Sequence, residues 1–191
     1  MANNAHPSPP SVALLLTRAQ TDAARFVAGL DATLLARTHI CIAPLLRIEP
    51  VETPIDLGAV SGVIFTSAKA VGFAPNGSGR TAFCVGERTA RVAKAHGWQV
   101  AQTAETADAL VDLLQADGPL VHLAGRHQRG DIAERLVARG QSCTRQEIYD
   151  QHLEPLAAEA QQLLEGDKPV IVPLFSPRIA GQFASQARHL A

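Results

Sequence analysis

Short apolar runs, each followed by a stretch with helical spacing of its apolar residues, repeat along the chain. Runs of four to eight apolar residues bounded by turn signals read as buried strands, and apolar residues three and four apart read as helix faces. On this basis strands are expected over 11–16, 38–45, from 62 onward, 81–85, 99–101, 120–123, 142–149 and 170–174. Between them, Thr21-Asp22 can cap a helix to about 30, with Ala24, Val27, Ala28 and Leu30 inward. Further helices are expected from Lys69, over 88–96 with Gly97 as the C′ residue, over 107–115 with Leu110, Val111 and Leu114 inward, over 131–139, over 155–164, and from Pro177. The segment at 142–149 reads as an edge strand.

Alternating strands and helices predict an α/β fold with parallel sheets. Two Pro-containing extended segments, 46–54 and 152–155, bracket the middle of the chain. They predict a discontinuous first domain, 11–45 plus 153–191, and a continuous inserted second domain, 50–150.

Composition narrows the class. The 191 residues are 47% apolar but only 4% aromatic, so Val, Leu, Ile and Ala must build the core. A net charge of −1 provides no global field for nucleic acid or an anionic membrane, so neither is an expected partner and any anion site must be assembled locally. Cys41, Cys84 and Cys143 lie in or beside apolar runs without a C-x-x-C pair, which predicts buried reduced thiols in a cytoplasmic protein. No apolar run approaches the roughly 18 residues of a membrane span. The polar, Pro-rich first ten residues are expected to form a disordered tail rather than a signal peptide.

The candidate chemistry lies where strands end, since open parallel sheets bind ligands beyond the carboxyl ends of their strands. Those ends read Thr17-Arg18, Thr66-Ser67-Ala68-Lys69, Gly86-Glu87-Arg88-Thr89, Gly125-Arg126 and Ser176-Pro177-Arg178. Every one carries a base within the first turn, and arginine matches a carboxylate at two points. Hydroxyls and unpaired helix N–H groups at the same turns add neutral donors. Singly, each arginine is a solvated side chain and each Ser or Thr a helix cap. Recurrence at one edge predicts a ligand with several negative groups.

Other chemistries lack their residues. Neither Gly-x-Gly-x-x-Gly nor Gly-x-x-x-x-Gly-Lys-Ser/Thr occurs, the seven histidines have no metal-ligand spacing, and no Gly-x-Ser-x-Gly elbow is present. A receiver-like or flavodoxin-like module would need an acidic pocket or a flavin loop, and the sequence has neither. His122, inside a strand, reads as a core or sheet-face histidine. Tyr149, the only tyrosine, reads as an amphipathic interface residue and also as the best single candidate for a proton donor.

Leu14-Leu15-Leu16-Thr17-Arg18, Ile64 through Val71, Val85 through Ala90, Leu123-Ala124-Gly125-Arg126, Ile148-Tyr149 and Phe175-Ser176-Pro177-Arg178 resemble, in order and spacing over nearly the whole chain, uroporphyrinogen-III synthase. The resemblance implies two α/β domains joined by a two-stranded connection, with an active cleft between them. It implies a lyase of tetrapyrrole biosynthesis that closes hydroxymethylbilane, a linear tetrapyrrole bearing many carboxylates, with inversion of ring D through a spiro intermediate. Metal and organic cofactor are both absent from the implied reaction, and a monomer is expected. Carried over, the binding turns are Ser67-Ala68, Gly86 to Thr89, Gly125-Arg126 and Ser176-Pro177, and the active-site tyrosine is Tyr149, assisting loss of the hydroxyl.

Lys69 stands where the family usually has asparagine. Counting on from Phe175 as from Phe65 to the Val85-Gly86 turn overshoots Ala191, so the first domain is expected to be incomplete. The alternative from a different class is a two-domain binding protein for a small polyanion, without turnover.

Overall fold

The computed structural model describes residues 12–127 and 130–188. The first ten residues, with the tail expected there, lie outside that range, as do Ser11 and the last three residues. The chain divides into two compact units, one of residues 1–48 and 152–191 and one of residues 49–151.

The first unit carries a parallel three-stranded sheet. Strand β1 (Val12–Leu16) lies between β2 (Thr38–Ile42) and the two-residue β9 (Val170–Ile171). Side chains alternate across a sheet, so β1 buries two faces separately. Leu14 and Leu16 pack with Ala23, Phe26, Val27 and Leu30 around helix α1 (Gln20–Ala28), while Leu15 packs with Leu156, Ala160, Ile179 and Phe183 of the α7 (Ala158–Leu164) and α8 (Pro177–Ala187) side.

Several sequence expectations are corrected here. Helix α1 begins without a side-chain cap at Ala19, and Asp22 instead sits in its first turn, 2.9 Å from Arg25 Nη1. The buried stripe is Ala23, Phe26, Val27 and Leu30; Ala24 and Ala28 are exposed. Helix α2 (Ala32–Arg37) is an addition to the expected elements: it has no buried residue and so no apolar stripe, although Asp31 caps it by accepting the Thr33 N–H. Helix α7 starts at Ala158, not at Pro155. Strand β9 stops at Ile171, because Pro173 has no N–H for a ladder, and Leu174 and Phe175 are left exposed.

The second unit is built on six strands in the order β3-β8-β7-β4-β5-β6. They are β3 (Leu46–Pro50), β4 (Gly62–Phe65), β5 (Thr81–Val85), β6 (Gln99–Ala104), β7 (Leu120–Gly125) and β8 (Cys143–Leu153), and β4 through β8 pair in parallel. Strands β4 and β7 are buried at every residue, as central parallel strands covered on both faces should be. Ile64, Phe83 and Leu120 pack with Leu110, Val111, Ile132 and Leu136 of α5 (Ala107–Leu113) and α6 (Ile132–Ala138). Phe65, one residue on and thus on the other face, meets Trp98 edge-on at 5.1 Å. The segment read as an edge strand is interior, because β3 flanks β8 on its outer side. The chain crosses between the units twice, within β3 and within β8.

Candidate active site

Strand order reverses once in each sheet, and in open parallel sheets ligands bind at such a reversal. In the second unit the chain proceeds from β4 to β5 and β6 on one side, then returns to place β7 and β8 on the other. The loops leaving β4 and β7 therefore run to opposite sides, and in open parallel sheets the crevice beyond such strand ends is where ligands bind. Thr66 follows β4 and Arg126 follows β7, so Thr66, Ser67, Ala68, Lys69, Gly125 and Arg126 share this edge with Gly86, Arg88 and Thr89 after β5.

The β4 turn is held by side chains distant in sequence. Ser67, with extended backbone (φ −151°), caps α3 (Ala68–Phe73) by accepting the Lys69 N–H at 3.1 Å. Thr66 Oγ1 lies 3.2 Å from Nε2 of His122 on β7. His122 is 2% exposed, and burial, aided by the Arg145 charge, pushes its pKa down to about 4, so the ring is neutral at neutral pH.

Tyr149 reaches the same turn through an irregularity. Ala124 pairs with Glu147 but Gly125 pairs with Tyr149, so the β7–β8 register shifts by one residue there. Such bulges re-aim a side chain. The tyrosine is 3% exposed, stacks on Phe73 at 5.2 Å, and its hydroxyl meets the Ser67 and Gln151 side chains. Burial raises its pKa above the ordinary phenol value, against the lowering effect of those two hydrogen bonds, and it is neutral at physiological pH.

Arg126 is held by carboxylates of its own unit. Its Nε donates to Glu147 at 3.0 Å and its Nη1 to Asp150 at 2.6 Å, and the hydrogen bond to Glu147 and the Asp150 charge raise its pKa further. Asp150, 7% exposed, also takes His127 Nε2 at 3.3 Å and the Gln151 N–H at 2.6 Å. Arg145 pairs with Glu147 at 3.3 Å and donates to the Gly125 and Arg126 carbonyls. The strand-end pattern does not point to His122, His127, Arg145, Glu147 or Asp150. The i, i+2 spacing of Arg145 and Glu147 marks one face of a strand, but only the sheet order brings that face to the β7 end.

The β5 turn has a different character. Gly86 adopts φ 82°, where an L side chain is strained, and as N-cap of α4 (Glu87–Ala95) it supplies no capping side chain. Thr89 is buried and Arg88 exposed.

In the first unit the reversal falls between β1 and β9. Thr17 is 1% exposed, with no partner for Oγ1 among the described residues. The Arg18 guanidinium lies 4.2 Å from the centroid of Phe175, whose ring also meets Phe26 edge-on at 5.4 Å. Ser176 caps α8 by accepting the Ile179 N–H at 3.2 Å, Pro177 takes the first helical position, and Arg178 follows. Thr17, Arg18, Ser176, Pro177 and Arg178 thus gather at one edge of the small sheet.

Among the described residues no group of His, Cys, Asp or Glu could hold a metal ion, and the three cysteines are free and buried. Burial pushes the Cys84 and Cys143 thiols up to about 11, so neither is an available nucleophile.

A model of the uroporphyrinogen-III synthase HemD family matches residues 33–191. The chain belongs to this family. Among solved structures, the fold is similar to that of uroporphyrinogen-III synthetase from Helicobacter pylori 26695, with a TM-score of 0.63 at 16% identity over 94% of this chain and 78% of that one. It is also similar to a mutant uroporphyrinogen III synthase from the extremely thermophilic bacterium Thermus thermophilus, with a TM-score of 0.50 at 17% identity over 81% of this chain and 67% of that one. Among curated proteins, none matches the chain. Among the described residues no helix is long and apolar enough to cross a membrane.

Proposed function

We propose that the chain is a uroporphyrinogen-III synthase, a lyase that dehydrates and closes hydroxymethylbilane with inversion of ring D. The observation that carries this reading is family membership over residues 33–191, with donor-bearing turns gathered at the strand-order reversal of each sheet. The substrate is a flexible chain of pyrroles bearing carboxylates. Its spontaneous closure joins the ends without inversion, so an enzyme must hold the chain in the folding that favours the other product. Neutral donors are suited to this holding role. The hydroxyl of Thr66, the N–H groups that open α4 after Gly86, and the backbone at Gly125 bind carboxylates without fixing one rigid charge pattern. Lys69 and Arg88 supply positive charge at the same turns, and Arg18 and Arg178 supply it at the separate turns of the first unit.

Tyr149 is a neutral phenol hydrogen-bonded to the Ser67 side chain. Its raised pKa makes full proton transfer to the leaving hydroxyl unfavourable at neutral pH, so its role is to donate a hydrogen bond and to hold Ser67. Arg126 acts through the ion pairs that shape the β7 turn, and a substrate carboxylate would have to compete with Glu147 and Asp150 for it. We further propose a cytoplasmic monomer working without nucleic acid or membrane partners; the buried, unpaired thiols support a reducing compartment.

Incubation with freshly prepared hydroxymethylbilane, with chromatographic resolution of the product isomers, tests the reading. The type-III isomer is expected in excess. Type-I isomer alone, at the rate of the protein-free control, would overturn it in favour of binding without turnover.

A further inference from the structure

We infer that His122 is a positioning residue that fixes the hydroxyl of Thr66 as a hydrogen-bond donor toward a carboxylate at the β4–β7 crevice. This deepens the synthase reading and rests on it for the identity of the carboxylate's owner. The two groups face each other across the junction of β4 and β7, Nε2 to Oγ1 at 3.2 Å, where strand order reverses.

A neutral imidazole carries one proton, on either nitrogen. Nδ1 of His122 is buried and has no hydrogen-bond partner among the described residues. If Nδ1 bore the proton, a buried N–H would be orphaned, which proteins rarely tolerate; an unshared lone pair is the smaller penalty. The proton therefore sits on Nε2 and is donated to Thr66 Oγ1. With one lone pair of Oγ1 engaged by the ring N–H, the threonine's own O–H turns away from the ring toward another acceptor. Desolvation, which keeps the ring uncharged, preserves this arrangement across the working pH range. Ser67, one residue on, accepts the Lys69 N–H and its side chain is engaged by Tyr149, so adjacent hydroxyls are both held from behind. A histidine in a strand is a passive core residue where both nitrogens are satisfied internally; here, among the described residues, the ring's hydrogen bond is to the hydroxyl at the strand end.

The test has a part independent of substrate. Long-range ¹H–¹⁵N correlation on the full chain labelled at histidine should show His122 as the Nε2–H tautomer; Nδ1–H would overturn the inference while leaving the synthase reading intact. With hydroxymethylbilane, His122→Leu should raise KM by about tenfold with little change in kcat, as expected when one oriented bond to a charged group is lost. His122→Gln, which can present a donor to Oγ1, should recover most of that loss. On a Thr66→Val background, His122→Leu should have no further effect on KM. Independent, multiplying losses would overturn the inference, as would a fall in kcat alone. Failure of the wild type to form the type-III isomer would instead overturn the functional reading, and the tautomer would still decide the direction of the bond.

Discussion

Gly125 lies against the phenol of Tyr149: a Cβ built on the glycine would stand 2.7 Å from the hydroxyl oxygen and closer still to Cζ and Cε2. The register shift between β7 and β8 creates this contact, and only a residue without a side chain permits it. Gly125→Ala is therefore expected to destabilise the fold by about 1–3 kcal/mol through overpacking and to displace Tyr149 from Ser67. Urea unfolding and the isomer-resolved synthase assay check it; unchanged stability with full turnover would mean that the ring has room to move.

Tyr149 is the chain's single tyrosine, so phenolate absorbance reports on it alone. Because burial raises its pKa, the titration midpoint in the folded protein should lie above the roughly 10 of a free phenol. The folded state then holds the proton more tightly than the unfolded state. The associated stability is fully present below about pH 10 and is lost as pH rises toward the folded value. Tyr149→Phe should remove this part of the alkaline loss and leave the share due to Cys41, Cys84 and Cys143, whose thiols are shifted in the same direction. A midpoint at or below that of free tyrosine would contradict the buried position.

Two glycines in the second unit should respond oppositely to the same substitution. Gly72 is exposed within α3, and a Cβ there meets nothing within 4 Å, so Gly72→Ala should stabilise by about 0.5–1 kcal/mol. At Gly77 a Cβ would stand 2.6 Å from both the ring and the backbone nitrogen of Trp98, and backbone yields little, so Gly77→Ala should destabilise. Trp98, the only tryptophan and 3% exposed, makes fluorescence-detected urea unfolding the natural measurement.

Arg126 neutralises two carboxylates, one of them nearly buried. Arg126→Ala should lower the thermal midpoint as well as weaken substrate binding, because it removes the guanidinium bond to the nearly buried Asp150 carboxylate. Arg139→Ala, which loses a surface pair with Asp112 and a bond to the Val111 carbonyl, should leave KM unchanged. Glu147→Gln, which frees one side of the Arg126 guanidinium, should lower KM. Differential scanning and steady-state kinetics on the three variants distinguish a structural role of Arg126 from a direct one; equal effects on KM would count against the strand-end site.

The local grammar of the chain is legible without a structure. Apolar runs at β5 and β7, the cap at Ser176 before Pro177, and Gly97 closing α4 all depend on neighbours within one turn or one strand. Propensity and periodicity carry that information directly. Alternation of strands with helices implies parallel sheets for the same reason, since a parallel pair needs a crossover. Helix α2 gives no such signal because it buries nothing, and β9 is shorter than its apolar run because the run continues through a proline.

What the tertiary structure alone decided is which side chains stand behind the strand ends. His122 and Thr66 are fifty-six residues apart and meet only because β7 returns beside β4. Tyr149 meets Gly125 only because the ladder slips by one residue at that point. Arg126 has the sequence signature of an open base and is instead claimed by Glu147 and Asp150 from β8. Strand order and register are cooperative outcomes of burying both faces of a sheet at once, a property of the whole core that no local window of residues encodes.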